Sequence, residues 1–115
     1  MALVQERLEQ GIVYKSEGKY DQAIDEIKAV LKLDPSCAEA HRQLGLVYGF
    51  IGLLEEAAQE LMEAVMLQKE NIHARTDLAL TYTMLGMLDE AKVQFETVLT
   101  IDPENTVARK HLRFF

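Results

Sequence analysis

A 34-residue repeat is the feature that most constrains the fold of this chain. Glycine, tyrosine, alanine and an Asp-Pro pair all return in one frame. The repeated positions are Gly18, Gly52 and Gly86; Tyr14, Tyr48 and Tyr82; Ala23, Ala57 and Ala91; and Asp34-Pro35 and Asp102-Pro103. Four kinds of residue do not align in one frame by chance. Such a period is typical of stacked helical or strand units, each of which buries its apolar face on the next.

The repeat extends over nearly the whole sequence, which predicts a single domain, 1–115. Apolar side chains recur at three- and four-residue steps, as at Ala57, Leu61 and Ala64, and no stretch alternates as a strand would. The sequence therefore predicts an all-α fold. The repeats are expected at 4–37, 38–71 and 72–105, with 106–115 as a partial fourth repeat or capping helix. The first helices are predicted near 4–16, 38–51 and 72–85, and the second helices near 20–33, 54–68 and 88–101.

The residues of the frame have mechanical roles in this prediction. The glycines are expected to end the first helices, because only glycine adopts a left-handed backbone at little cost. The alanines allow the second helix to approach its partner closely. Pro35 and Pro103 interrupt the helix between repeats.

These residues resemble the tetratricopeptide repeat, whose pattern is Trp-x2-Leu-Gly-x2-Tyr…Ala-x3-Phe…Pro. The second repeat supplies Leu44, Gly45, Tyr48, Ala57 and Leu61, and the third supplies Leu78, Ala79, Tyr82, Ala91, Phe95 and Pro103. The tryptophan position departs from the pattern, with Arg7, His41 and Arg75. The resemblance implies a right-handed superhelix, or α-solenoid, of three antiparallel helix pairs plus a C-terminal helix. It also implies a scaffold that binds another protein or peptide in a concave groove lined by the first helices. For Leu54 and Leu88, at the start of second helices, the resemblance implies a place in the core.

Candidate partner-binding residues follow from the groove that the resemblance implies. Ile12, Leu46 and Leu80 form a row at intervals of one repeat, which Phe114 continues. Such an apolar ladder favours an apolar or amphipathic peptide or helix, with basic flanks to suit the acidic chain. The alternative is that these side chains pack between neighbouring first helices and are mostly covered. The full candidate set is Leu8, Ile12, Arg42, Leu46, Phe50, Thr76, Leu80 and Met84.

The best-known ligand mode of the resembled family is a two-carboxylate clamp on the acidic C-terminal tail of heat-shock chaperones. The matching positions here are Leu8, Ile12, Gln43, His73 and Asp77. Only Gln43 keeps an amide or a cation, and Asp77 would repel a carboxylate at close range. The sequence therefore disfavours a chaperone tail as the ligand.

The charge balance limits the partners further. The formal net charge is -7, and the basic residues are scattered among the acids, so nucleic acid and anionic membrane would be repelled. No run approaches the roughly 20 apolar residues that span a bilayer. A single cysteine, Cys37, excludes an intramolecular disulfide, and the N-terminus does not resemble a signal peptide. The expected location is the cytoplasm.

Catalytic and cofactor chemistry is not expected from the motifs. His41, His73 and His111 lack the spacing of metal ligands, and no Cys-x-x-Cys accompanies them. No Gly-Lys-Ser/Thr follows the glycines of the second repeat, so they do not form a phosphate loop. We therefore expect no catalytic residue, no metal and no cofactor.

A structural self-assembly module, forming homo-oligomers through repeat stacking, is the alternative function. Phe114 and Phe115 stand at the C-terminus without a polar closing face, and Leu53 and Met87 are apolar at the helix-to-helix turns. These side chains could support self-association, although single apolar surface residues are common. The sequence leaves open whether the chain is a fragment of a longer protein.

Overall fold

The computed structural model describes residues 2–115, and within that range it contains seven α-helices and no strand. The helices are α1 (Ala2–Ser16), α2 (Tyr20–Leu33), α3 (Ala38–Phe50), α4 (Leu54–Leu67), α5 (Ile72–Met84), α6 (Leu88–Ile101) and α7 (Thr106–Leu112). Six of them form the pairs α1–α2, α3–α4 and α5–α6, and α7 packs on α6. The prediction of an all-α helical-repeat solenoid is confirmed.

The turn inside each pair is closed by a glycine with a left-handed backbone. The φ angle is +74° at Gly18, +84° at Gly52 and +76° at Gly86. In each turn the residue after the glycine donates its N–H to the carbonyl five residues earlier, as Leu53 does to Tyr48 at 2.9 Å. These bonds satisfy carbonyl groups that the end of a helix would otherwise leave unpaired. The second helix can therefore begin immediately and return along the first.

Small residues let the two helices of a pair approach closely. Ala23, Ala57 and Ala91 are fully buried. A Cβ atom added at Gly45 in α3 would lie 2.8 Å from Cγ of Leu61 in α4, too close for a side chain to fit without movement. The role expected for the alanines of the frame, close helix packing, agrees with this burial.

A second set of alanines lies where one repeat stacks on the next. Ala40, Ala74 and Ala108 are fully buried. In addition to the contacts of α2 with α3, α4 with α5 and α6 with α7, α1 contacts α3 and α3 contacts α5. The first helices therefore form one layer. Its solvent side, here called the first-helix surface, carries Lys15, Arg42, Leu46, Phe50, Asp77, Leu80 and Met84.

One predicted core position is exposed. Leu54 is half-buried, but Leu88 is 51% exposed, so the expectation of a core position is wrong for Leu88. Tyr20 holds the equivalent place in the first repeat and packs against Phe50, with ring centroids 6.0 Å apart. In the first repeat this cover comes from the next first helix, α3, and not from the helix pair that contains Tyr20.

Candidate partner-binding surface

The predicted partner-binding residues separate into three groups: two residues packed against the core, four that line one pocket, and two outside that pocket. Leu8 is only 4% exposed and belongs to the core cluster that includes Ala40 and Leu44 of α3. Ile12 is half-buried and packs against the same cluster. Because α3 contacts α1 here, little of either side chain is open to a partner.

The second group comes together in one pocket between two first helices, which we call the α3–α5 pocket. Leu46 and Phe50 line it from α3, and Leu80 and Met84 line it from α5. Its volume is about 290 Å³. Phe50 is 60% exposed and Met84 is 61% exposed. A space of this size lies at the lower end for small-molecule sites and suits one or two side chains of a peptide.

The pocket is open because α3 has no side chain at Gly49. A Cβ atom built at Gly49 meets no atom within 4 Å. Helical periodicity places Gly49 on the face that carries Leu46 and Phe50, so the sequence contained a signal for this residue. It contained none for Leu61, which belongs to a second helix. The lining is completed by Gly45, Gly49, Leu61, Asp77 and Thr81, none of which was in the candidate set.

Arg42 and Thr76 lie outside the lining of the pocket. Arg42 donates from Nε to Oδ2 of Asp77 at 2.7 Å and from Nη1 to Oε1 of Glu39 at 3.3 Å. Thr76 is half-buried. The ion pair joins α3 to α5 at the polar edge of the pocket, because Asp77 both lines the pocket and holds Arg42.

The contacts of Arg42 continue as a polar chain across the three first helices. Lys15 donates from Nζ to Oε1 of Gln43 at 2.5 Å, and Gln43 donates from Nε2 to Oε1 of Glu39 at 2.7 Å. Gln43 is buried, at 6% exposure, and both ends of its amide are hydrogen-bonded. One connected set of side chains therefore runs from α1 through α3 to α5.

The two cations of this hydrogen-bonded network, Lys15 and Arg42, already lie near carboxylates of the protein itself. Burial lowers the pKa of the Lys15 ammonium below its ordinary 10.5, and Arg42 lowers it further, whereas Glu39 and Asp77 act to raise it. Arg42 is paired with the same two carboxylates. A carboxylate arriving from a ligand would therefore compete with Glu39 and Asp77 for both cations.

Three further observations concern metal ligands, membrane-spanning helices and the single cysteine of the described residues. Within residues 2–115, no group of three His, Cys, Asp or Glu side chains is placed to hold a metal ion. Across the same residues, no helix combines the length and the apolar character that crossing a membrane requires. Cys37 is half-buried and is a free thiol.

The fold and the pocket define a class, an all-α helical repeat with a small apolar pocket between its first helices. Comparison with models of protein families shows the family to which the chain belongs. A model described as TPR repeat matches residues 11–52, and one described as tetratricopeptide repeat matches 38–71 and 72–105. The chain belongs to the tetratricopeptide repeat family. A search of curated proteins finds no match.

Several solved structures are similar to the chain. The first TPR domain of Spaghetti (RPAP3), solved bound to the HSP90 peptide SRMEEVD, has a TM-score of 0.92 and 27% identity, over 98% of this chain and 90% of that one. The second TPR domain of human RPAP3, solved with the HSP70 peptide SGPTIEEVD, has a TM-score of 0.87 and 29% identity, over 96% of each chain. MamA has a TM-score of 0.82 and 30% identity, over 87% of this chain and 58% of that one.

Proposed function

We propose that this chain is a protein–protein interaction scaffold that binds a segment of a partner protein on its first-helix surface. The observation that carries the proposal is the α3–α5 pocket, where Phe50 and Met84 leave most of their apolar surface exposed. Exposed apolar side chains gathered around a concavity are typical of interaction sites. The RPAP3 domains, solved with chaperone peptides, support a peptide as the kind of ligand. The proposal assigns the chain no catalytic activity.

The proposed ligand is an apolar or amphipathic peptide or helix with basic flanks. Its apolar side chain enters between Leu46 and Leu80 and covers Phe50 and Met84. Asp77 lines the same pocket and the chain has a net charge of -7, so cations beside the apolar anchor are favoured. A reducing compartment such as the cytoplasm is part of the proposal, because the sequence holds a single cysteine.

An acidic chaperone tail is not the ligand in this proposal. Among the positions that correspond to the family's carboxylate clamp, Leu8 lies in the core and Gln43 is engaged by Lys15 and Glu39. Asp77 offers a negative charge where the clamp needs a positive one. A terminal carboxylate at this site would be repelled, since like charges at close range are unfavourable.

Selection from a displayed library of random peptides tests the proposal. The variant Phe50→Asp/Met84→Asp places two charges on the rim of the pocket. The control Met66→Asp/Val93→Asp places two charges on side chains of similar exposure, 63% and 57%, that do not line the pocket. Peptides are selected on the unmodified chain and counter-selected on the pocket variant. They are expected to bind the pocket variant at least about tenfold more weakly than the unmodified chain and to bind the control within about twofold, by fluorescence anisotropy.

Two results would contradict the proposal. One is an equal loss of affinity in the two double variants, which would leave no role for the α3–α5 pocket. The other is saturable binding of the peptide SRMEEVD as tight as that of the selected peptides. Circular dichroism of each variant checks that the helical fold is retained.

Self-assembly remains the second candidate function. Phe114 is 83% exposed, and its neighbour Phe115 lies with its ring centroid 6.2 Å from that of Phe95. The net charge of -7 opposes association between copies. Sedimentation velocity over a wide concentration range separates the candidates. A monomer throughout rejects self-assembly, whereas a dimer lost on Phe114→Asp supports it.

A further inference from the structure

A second pocket lies away from the first-helix surface, between α4 and the end of α5. We call it the α4–α5 pocket. Its volume is about 620 Å³, twice that of the α3–α5 pocket. Its apolar wall is formed by Ala58 and Met62 of α4, Tyr82 of α5, and Leu85, which follows the last residue of α5. These four side chains belong to or pack against one core cluster. The apolar wall is therefore held by the packed core.

Carboxylates line the same pocket. Glu55 and Glu63 are exposed and, within residues 2–115, neither forms an ion pair. Glu60 differs, because it accepts a hydrogen bond from Nδ1 of His41 at 2.9 Å. Eight positions of α-helix place Glu55 and Glu63 about 12 Å apart along the axis of α4. The pocket thus has a carboxylate near each end and apolar side chains between them.

The repeat pattern does not require this pocket. The position of Ala58 is held in the first repeat by Ile24, which packs against the core there. The positions of Met62 and Glu63 are held by Lys28 and Ala29. The second repeat therefore has a smaller side chain where the pocket opens and carries a carboxylate that the first repeat lacks. These differences leave the helices and turns of the repeat unchanged.

We propose that the α4–α5 pocket is a second interaction site, which binds a helical segment of another protein. The segment carries an apolar side chain with one basic residue before it and one after it. Two Lys or Arg residues roughly seven or eight positions apart on a helix match the spacing of Glu55 and Glu63. The apolar side chain between them lies over Ala58, Met62 and Leu85. The net charge of -7 disfavours two other occupants, a second copy of this chain and an anionic membrane, because both would be repelled.

The site is tested with a displayed library of random peptides about 16 residues long, enough for a partner helix of about 24 Å. Peptides are selected on the unmodified chain and counter-selected on Ala58→Ile, which gives the second repeat the side chain of the first and narrows the apolar part of the pocket. The enriched peptides are expected to carry the basic–apolar–basic pattern and to bind Ala58→Ile at least about tenfold more weakly.

A matched pair of charge variants decides the result even if Ala58→Ile folds poorly. Glu55→Gln/Glu63→Gln and Glu56→Gln/Glu70→Gln both change the net charge from -7 to -5, but only the first pair lines the pocket. The pocket pair is expected to weaken binding at least about fivefold at low salt, and the control pair less than about twofold. Met84→Asp, in the α3–α5 pocket, should leave these peptides bound, so this site and the proposed function fail independently.

Three outcomes would overturn the inference. Peptides that do not distinguish Ala58→Ile from the unmodified chain would remove the pocket from the interaction. Equal weakening by the two charge pairs would reduce the effect to net charge. A dimer in sedimentation equilibrium that Ala58→Ile abolishes would make the occupant a second copy of the chain.

Discussion

Three glycines near the end of α3 are predicted to have different effects on stability when each is changed to alanine. Gly52 has a φ angle of +84°, and a Cβ atom there meets no atom within 4 Å. The cost of Gly52→Ala is therefore a backbone cost alone, about 1–2 kcal/mol of unfolding free energy for a left-handed alanine. Gly49 also has open space around it, but it lies inside the helix. Gly49→Ala should stabilise the protein by about 0.5 kcal/mol, because alanine has the higher helix propensity.

For the third glycine, Gly45, the change to alanine is predicted to create a steric clash. Its Cβ atom would lie 2.8 Å from Cγ of Leu61 and 3.1 Å from the carbonyl oxygen of Ala57. Leu61 is 1% exposed and cannot turn away into solvent. Overpacking of a buried contact costs about 1–3 kcal/mol, which exceeds the gain in helix propensity. Gly45→Ala should therefore destabilise the protein in spite of its helical position.

Urea denaturation followed by far-ultraviolet circular dichroism measures all three changes. The unfolding free energy should fall for Gly45→Ala and Gly52→Ala and rise for Gly49→Ala, with unchanged dependence on urea. Because repeat arrays can unfold in stages, a second probe such as tyrosine fluorescence should give the same transition. If Gly52→Ala were neutral, or if Gly49→Ala destabilised the protein by more than about 0.5 kcal/mol, the assignment of these glycines would be wrong.

Two further predictions concern a helix cap and a titration. The side chain of Asn71 caps α5 by accepting a hydrogen bond from the N–H of Ala74 at 3.0 Å. Asn71→Ala should therefore lower the unfolding free energy by about 1 kcal/mol. An unchanged unfolding free energy in urea denaturation would contradict the role of this cap. Lys15 should titrate below 10.5 in carbon-detected NMR, and Arg42→Gln should raise its pKa by removing a neighbouring cation. Since a lowered pKa disfavours the charged form in the folded state, the contribution of Lys15 to stability should increase as the pH rises toward 10.5. A Lys15 pKa at its ordinary value would refute the claim that burial disfavours the charged ammonium group.

The sequence was sufficient for the fold because its period fixes both the helix ends and the helix contacts. The glycine positions placed the three left-handed turns, and the alanine positions placed the closest helix contacts. Leu88 was mispredicted because the cover of such a position, which Phe50 of α3 gives to Tyr20 of α2, comes from a neighbouring first helix and not from its own repeat. The burial of a repeat position depends on what stacks beyond it, which a local pattern does not contain.

The candidate site shows the same limit. Helical spacing brought Leu46 and Phe50 of α3 opposite Leu80 and Met84 of α5, and these four residues line one pocket. Leu8 occupies an equivalent position to Arg42 but is buried with residues of α3. A leucine ends inside such a contact, whereas the longer arginine reaches out to Asp77. Sequence spacing gives the direction of a side chain from its own helix, and the neighbouring helix decides whether it remains exposed.

Positions that differ between repeats carry the specificity in both proposals, and positions that recur carry the fold. Phe50 and Met84 stand where the first repeat has Ser16, and Ala58 stands where it has Ile24. Neither difference affects a turn glycine or one of the alanines at the helix contacts. The second and third repeats can therefore form apolar pockets and keep the same helix packing. Both pockets lie at the junction of these two repeats, one between α3 and α5 and the other between α4 and the end of α5. A partner that used both pockets would contact α3, α4 and α5, and the first repeat would serve mainly as a stacked support for α3.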